Sequence, residues 1–135
     1  MKLTAAFLFV VAGGLLASSG GYAQDTEVGA TLFAQSCSAC HGAKGLGDGD
    51  MANVTTIKAP NLTLLSKNND GVFPMLNVIH VIDGRTGQRG HGSVMPVWGQ
   101  IFSDEAAATS GLYGGVLETR GRILSLALFL ESIQK

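Results

Sequence analysis

The chain of 135 residues carries 9 basic and 10 acidic side chains, and 46% of its residues are hydrophobic. This length allows a single domain. The slight excess of acidic residues argues against nucleic acid as a partner, because a nucleic-acid-binding protein needs a basic surface.

The first 23 residues have the pattern of a secretory signal peptide. Lys2 supplies a positive charge, residues 3–17 form an apolar run, and Gly21-Tyr22-Ala23 places small residues where a signal peptidase reads them. The run is shorter than the ~20 residues that cross a bilayer, which argues against a retained anchor. We expect cleavage after Ala23, a periplasmic location and one mature domain, residues 24–135, without a membrane span. That domain has eight basic and ten acidic side chains, a formal charge of −2.

A first helix is predicted immediately after the cleavage site. Residues 25–27 (DTE) supply a capping oxygen and negative charges, which stabilise a helix N-terminus. The helix should run to about Ser36. Gly29 and Phe33 are four residues apart and share a face, and a helical glycine is costly unless another backbone approaches it closely.

The run Cys37-Ser38-Ala39-Cys40-His41 is the pattern of a c-type haem attachment site. Each thiol can add across one haem vinyl group, and the two-residue gap presents both sulfurs to the same edge of the macrocycle. His41 can then fill the proximal axial position on the iron. A redox dithiol or half of a zinc site are the alternatives. We favour haem because the chain has no further cysteine, no close histidine pair and no alternating strand and helix pattern.

Residues 42–50 are too rich in glycine for a helix or strand, so a loop is predicted. A phosphate-binding loop would need a preceding strand and, in one common form, a terminal Lys followed by Ser or Thr, and both are missing. A calcium loop would need acidic ligands at several alternate positions, whereas Asp48 and Asp50 stand nearly alone. We therefore interpret the segment as a structural turn.

A second helix is predicted after an irregular connection. The run Ala59-Pro60-Asn61-Leu62 ends the irregular region, because proline fixes its own φ and biases the preceding residue towards an extended conformation. One short helix or two short turns should follow at residues 62–67. Pro74 suits a first helical position and Gly84 can close the helix. The apolar residues between them with helical period are Met75, Val78, Ile79 and Ile82.

Residues 85–99 lack any regular period, so no helical core stripe accounts for Met95. Haem iron needs a sixth ligand or an open face, and a thioether on a loop is a suitable soft donor. Pro96 removes an amide hydrogen and stiffens the approach. We expect Met95 to be the sixth ligand. The alternatives are an open iron face or a histidine ligand, His80 or His91.

Three other side chains near the expected site have simpler interpretations. Met51 lies ten residues after His41, and Met75 falls on the apolar face of the second helix, so both are interpreted as packing residues. Trp98 either packs at the haem edge, where its indole N–H can reach a propionate, or is a core aromatic.

A terminal helix is predicted from about Leu117 to Ile133. Residues 103–105 (SDE) are a helix-start signal, but residues 109–115 should interrupt whatever begins there. The flanking charged residues of the terminal helix exclude a membrane span. Its apolar stripe consists of Ile123, Leu126, Ala127, Leu130 and Ile133, broadened by Leu124 and Phe129.

Together these motifs resemble a class I c-type cytochrome of the bacterial mono- and dihaem group, over essentially the whole mature chain. The resemblance implies a small all-α fold whose N- and C-terminal helices cross beside one covalently bound haem c, with short connecting helices and long loops. The matching segments are Gly29 to Phe33, Cys37 to Gly42, Ala59 to Leu62, Met95 to Trp98 and Phe129 to Ile133.

The same resemblance implies two contacts. Gly29 and Phe33 should meet the terminal helix near Phe129 in a near-perpendicular crossing. The carbonyl of Pro60 should accept the second ring N–H of His41, which fixes the imidazole tautomer and makes it a better donor.

The function implied is one-electron transfer in the periplasm by a carrier that is not an enzyme. The expected partners are redox proteins: a donor dehydrogenase or cytochrome complex and an acceptor oxidase or reductase. One alternative is a haem subunit of such a dehydrogenase or oxidase, with the additional segment 102–116 as a docking element. Another is a haem enzyme or gas sensor with an open distal face.

A basic cluster precedes the expected distal ligand. Arg85, Arg89 and His91 lie within the ten residues before Met95 and could attract an acidic patch on a partner. The competing interpretation is that the arginines pair with the haem propionates or with Asp83.

Overall fold

The computed structural model describes residues 20–85 and 95–135. Within these ranges the chain is helical and contains no strand, which confirms the all-α prediction. The long connection between residues 41 and 75 contains three 3₁₀ turns, Asp50–Asn53, Leu62–Leu64 and Lys67–Asn69. The α-helices are α1 (Gly20–Ser36), α2 (Ser38–His41), α3 (Met75–Asp83) and α4 (Trp98–Ser132).

α1 ends at Ser36 as predicted but begins at Gly20, five residues before the expected start at Asp25. The residues before Asp25 are part of the same helix, so the capping signal of residues 25–27 does not start it. Most of the proposed signal peptide, residues 1–19, lies outside the described residues. The cleavage site therefore stays a prediction.

The contact expected between the first and last helices is present. Gly29 is buried with its Cα against the backbone of Ser125, and the rings of Phe33 and Phe129 lie 5.2 Å apart between centroids. A side chain at position 29 would prevent this approach, which accounts for a glycine in the middle of a helix. The buried core beneath the crossing consists of Phe33, Val78, Ile82, Phe102, Ile123, Leu126, Ala127 and Leu130.

The connection and α3 follow the sequence closely. Residues 62–69 form two short turns, the second of the two expected alternatives, and α3 begins at Met75, one residue after Pro74. Gly84 ends α3 with a φ of +67°, in the left-handed region that glycine adopts easily. Val78 and Ile82 lie on the predicted apolar face of α3 and are buried in the core.

α4 differs from the prediction. It begins at Trp98 rather than near Ser103, and the expected interruption over residues 109–115 is confined to one residue, Gly111, whose φ and ψ of 67° and 178° are not helical. A first arm, residues 98–110, and a second arm, residues 112–132, meet at this break. The terminal helix therefore starts at Leu112 and not at Leu117.

The two arms of α4 fold back on one another as a helical hairpin. Buried Gly115 lies against Ala107, whose backbone nitrogen would be 3.1 Å from a Cβ at position 115. Arg122 donates to Glu105 on the first arm at 2.8 Å and also pairs with Glu118 on its own arm. Gly115 belongs to the run that the sequence suggests as a helix breaker, but in the structure it is a packing residue. No helix within the described ranges is long and apolar enough to cross a membrane.

Candidate functional site

A cavity of about 570 Å³ lies between α2, the turns of the connection, α3 and both arms of α4. Its volume falls within the ~300–1,000 Å³ typical of sites for organic ligands. The residues predicted from the sequence as site residues all line it: Cys37, Cys40, His41, Pro60, Met95 and Trp98.

His41 is held from its backbone and from its ring. It is the last residue of α2 and is buried, and its ring Nδ1 lies 3.2 Å from the carbonyl oxygen of Pro60. This is the contact expected from the resemblance. With Nδ1 donating to a carbonyl, the tautomer is set and the ring orientation is fixed, as is usual for a metal-binding histidine.

Cys37 and Cys40 are free thiols that line the same cavity. The amide of Cys40 donates to the carbonyl of Cys37 at 3.2 Å, so one turn of chain presents both sulfurs. Burial, with a smaller contribution from the neighbouring Cys40, raises the pKa of the Cys37 thiol to about 11. Redox-active dithiols have a lowered thiol pKa instead, so this environment disfavours the dithiol alternative.

Two thioether side chains, those of Met51 and Met95, line the cavity, and only Met95 was expected there from the sequence. Met95 is half-buried against the core, and Trp98 stacks near Phe102 at 5.5 Å between ring centroids. Met51, interpreted from the sequence as a packing residue, also lines the cavity but is 42% exposed. The sequence did not place Met51 at this cavity, and its role as a packing residue stays a prediction. Met75 does pack against the core.

Among the described residues, neither the histidine considered as an alternative iron ligand nor the arginine of the basic cluster lines the cavity. His80 is exposed on α3 and is not among the cavity-lining residues. His91 and Arg89 lie outside the described residues. Arg85 makes two hydrogen bonds to Asp83, with Nη2 to Oδ2 at 3.1 Å, and these bonds hold the pKa of the carboxyl below its usual range. One of the two interpretations of Arg85, pairing with Asp83, is therefore observed.

The apolar wall of the cavity was only partly foreseen. Val78, Ile82, Leu126 and Leu130 belong to apolar stripes that the sequence shows, but periodicity alone does not tell whether a stripe faces protein or a cofactor. Among the described residues no three His, Cys, Asp or Glu side chains lie together as a possible metal-binding group.

The described residues form an all-helical domain around one largely apolar cavity that is lined by two cysteines and a histidine. A family model described as Cytochrome c matches residues 26–109. The chain therefore belongs to the cytochrome c family, and its all-helical fold agrees with a class I member that carries one covalently bound haem c. Neither the curated proteins nor the solved structures contain a match to this chain.

The cavity fits that cofactor. Two thiols, an imidazole and two thioethers line one largely apolar space, and these are the types of group that attach and ligate a c-type haem. Membership of the family also implies electron transfer by the haem iron and redox proteins as partners.

Proposed function

We propose that this protein is a periplasmic one-electron carrier whose haem is attached through Cys37 and Cys40 and ligated by His41 and Met95. The observation that carries the proposal is the convergence of these four side chains on one cavity of suitable volume. When bound, the haem supplies an iron that changes between its ferrous and ferric states.

The protein residues hold the ligands in place for both states. The Pro60 carbonyl occupies Nδ1 of the His41 ring, so Nε2 would be the nitrogen left to bind the iron. Met95 approaches from the segment before α4, and its thioether favours a higher reduction potential than a second imidazole would. Because neither ligand needs to move when an electron is gained or lost, the site suits rapid transfer.

The apolar wall keeps water from this site. Val78, Ile82, Leu126 and Leu130 are all buried or nearly so, and they come from α3 and the second arm of α4. A dry surrounding disfavours the extra charge of the ferric state and so contributes to a higher potential. Trp98 lines the same cavity, and its indole N–H would be the donor to a haem propionate.

The location follows from the sequence. The pattern of residues 1–23 supports export and cleavage after Ala23, which would leave residues 24–135 as the mature domain. Covalent attachment suits such a compartment, because a thioether-linked cofactor cannot be lost by dissociation.

The ligand assignment is tested by comparing Met95→Ala with Met51→Ala. Both variants remove a thioether that lines the cavity, so they form a matched pair. We expect Met95→Ala to abolish the ferric sulfur-to-iron charge-transfer band and to lower the potential, and Met51→Ala to leave both unchanged. The reverse pattern would assign the ligand to Met51. A wild-type protein that lacks the band and binds carbon monoxide readily would instead support an enzyme or gas sensor with an open distal face.

A second candidate function is that of a haem subunit in a larger redox complex. The hairpin of α4 favours it, because its tip exposes Leu112 (87%), Tyr113 (80%), Val116 and Leu117 to solvent. Between Glu105 and Glu118 the chain has no charged residue. An uncharged apolar tip of this kind is typical of a surface that a protein partner covers.

The two candidates differ in what the protein does in a native periplasmic extract. Size-exclusion chromatography that follows haem absorbance should show a free carrier at the mass of the isolated domain. A subunit should elute at a higher mass, and Leu112→Glu with Tyr113→Glu should release it. Leu76→Glu, at a position that is 72% exposed on α3, is the matched control.

A further inference from the structure

The segment after α2, residues 42–49, folds back against the end of α2 and donates hydrogen bonds to its backbone. The amide of Gly47 donates to the carbonyl of His41 at 2.8 Å, and that of Gly49 donates to the carbonyl of Cys40 at 3.2 Å. Gly47 therefore lies directly beside the main chain of the proximal histidine. Its φ of +82° is in the region that only glycine adopts without strain.

The other side of Gly47 faces Ala59 and Pro60, and the Pro60 carbonyl is the group that contacts the His41 ring. A Cβ at position 47 would be in direct collision with the carbonyl oxygen of Ala59 and would lie 3.3 Å from the carbonyl oxygen of Pro60. The amide of Leu62 donates to the carbonyl of Gly45 at 2.7 Å and ties the same two segments together. Gly47 is thus enclosed between the backbone of His41 and the backbone that accepts from its ring.

We propose that Gly47 is a positioning residue that sets the length of the hydrogen bond between His41 Nδ1 and the Pro60 carbonyl, and through it the donor strength of the imidazole. This inference rests on the proposed ligation by His41. Because Gly47 has no side chain, the backbone of Ala59 and Pro60 can pack directly against it. The Pro60 carbonyl oxygen is thereby held at 3.2 Å from His41 Nδ1.

The direction of the effect follows from the chemistry of the ring. A bulkier residue at position 47 would push Ala59 and Pro60 away and lengthen the bond. A weaker bond at Nδ1 makes the imidazole less basic and a poorer donor through Nε2. The ferric state, which depends more on electron donation, would lose stability, and the reduction potential would rise.

The test compares Gly47→Ala with Gly71→Ala in the holoprotein. Gly71 has the same φ of +82°, but nothing lies within 4 Å of a Cβ there, so it reports backbone strain without the collision. Two quantities are measured: the midpoint potential, and the rate at which the His41 Nδ1 proton exchanges with solvent by NMR. We expect Gly47→Ala to raise the potential and accelerate this exchange, with neither change in Gly71→Ala.

The outcomes separate this inference from the proposed function. A wild-type protein without histidine ligation would remove the proposed function itself. With normal wild-type ligation, a potential and an exchange rate that are equal in the two variants would overturn the role of Gly47. If Gly47→Ala fails to assemble, hydrogen exchange is measured in the wild type instead. The Gly47 amide proton and the His41 Nδ1 proton should then exchange with solvent through the same local opening of the structure. A Gly47 amide that exchanges while the ring proton stays protected would overturn the proposal.

Discussion

Adding one methyl group at Gly29 should disrupt the contact between α1 and the second arm of α4. The new Cβ would collide with the carbonyl oxygen of Ser125 and lie 2.7 Å from Cβ of Phe129. Neither atom is the end of a flexible side chain, so the helices themselves have to shift. Overpacking of this kind typically costs about 1–3 kcal/mol.

The matched control is Gly121→Ala, because Gly121 is also helical but a Cβ there would meet nothing within 4 Å. Replacing a helical glycine by alanine contributes about 1 kcal/mol of helix propensity at either position. That gain cancels in the comparison, so Gly29→Ala should be less stable than Gly121→Ala by about 1–3 kcal/mol. Guanidinium unfolding followed by circular dichroism and haem absorbance measures the difference. Equal stabilisation by both substitutions would show that the close crossing is absent in solution.

Two further predictions concern the surface pair and the hairpin. Asp83→Asn should lower the free energy of unfolding at pH 7 by about 1 kcal/mol or less, the value of an exposed pair. Because the bond to Arg85 lowers the folded-state pKa of Asp83, this stabilisation is present above the ordinary carboxyl pKa and is lost as the pH falls. Unfolding at pH 7 and at pH 2.5 checks this, and a difference that persists at low pH would contradict it. Ala106→Leu should destabilise the hairpin by about 1–3 kcal/mol, since Ala106 is fully buried, whereas Ala108→Leu at an exposed position should not. Thermal melts compare the two variants, and equal melting temperatures would contradict the packing of the arms.

The sequence predicts the haem-facing half of the molecule well. The attachment run, the proline turn and α3 are each specified by residues close together in the chain, such as Pro74 and Gly84 at the ends of one helix. The six residues expected at the site all line the cavity, and their individual roles there stay predictions. The contact of Phe33 with the last helix was expected from the resemblance to the family and is present in the structure.

The hairpin and Met51 show where local signals fail. Residues 109–115 contain three glycines and look like a loop, but Gly115 is required for close packing on Ala107, a contact that depends on the tertiary fold. The break occurs at Gly111, where a Cβ would meet nothing and only the backbone angle matters. Met51 reaches the cavity because its 3₁₀ turn follows a loop whose path is set by positive φ at Gly42, Gly45 and Gly47. Hydrophobic periodicity in the sequence does not predict these positive φ angles.

The central claim is that one haem is held covalently by Cys37 and Cys40 in the mature domain. Intact-mass spectrometry of the purified protein under denaturing conditions tests it most directly, followed by sequencing of the peptide that contains both cysteines. We expect the mass of residues 24–135 plus one haem, with both thioethers on that peptide. A polypeptide that loses its pigment on denaturation, or carries it on any other residue, would contradict the claim.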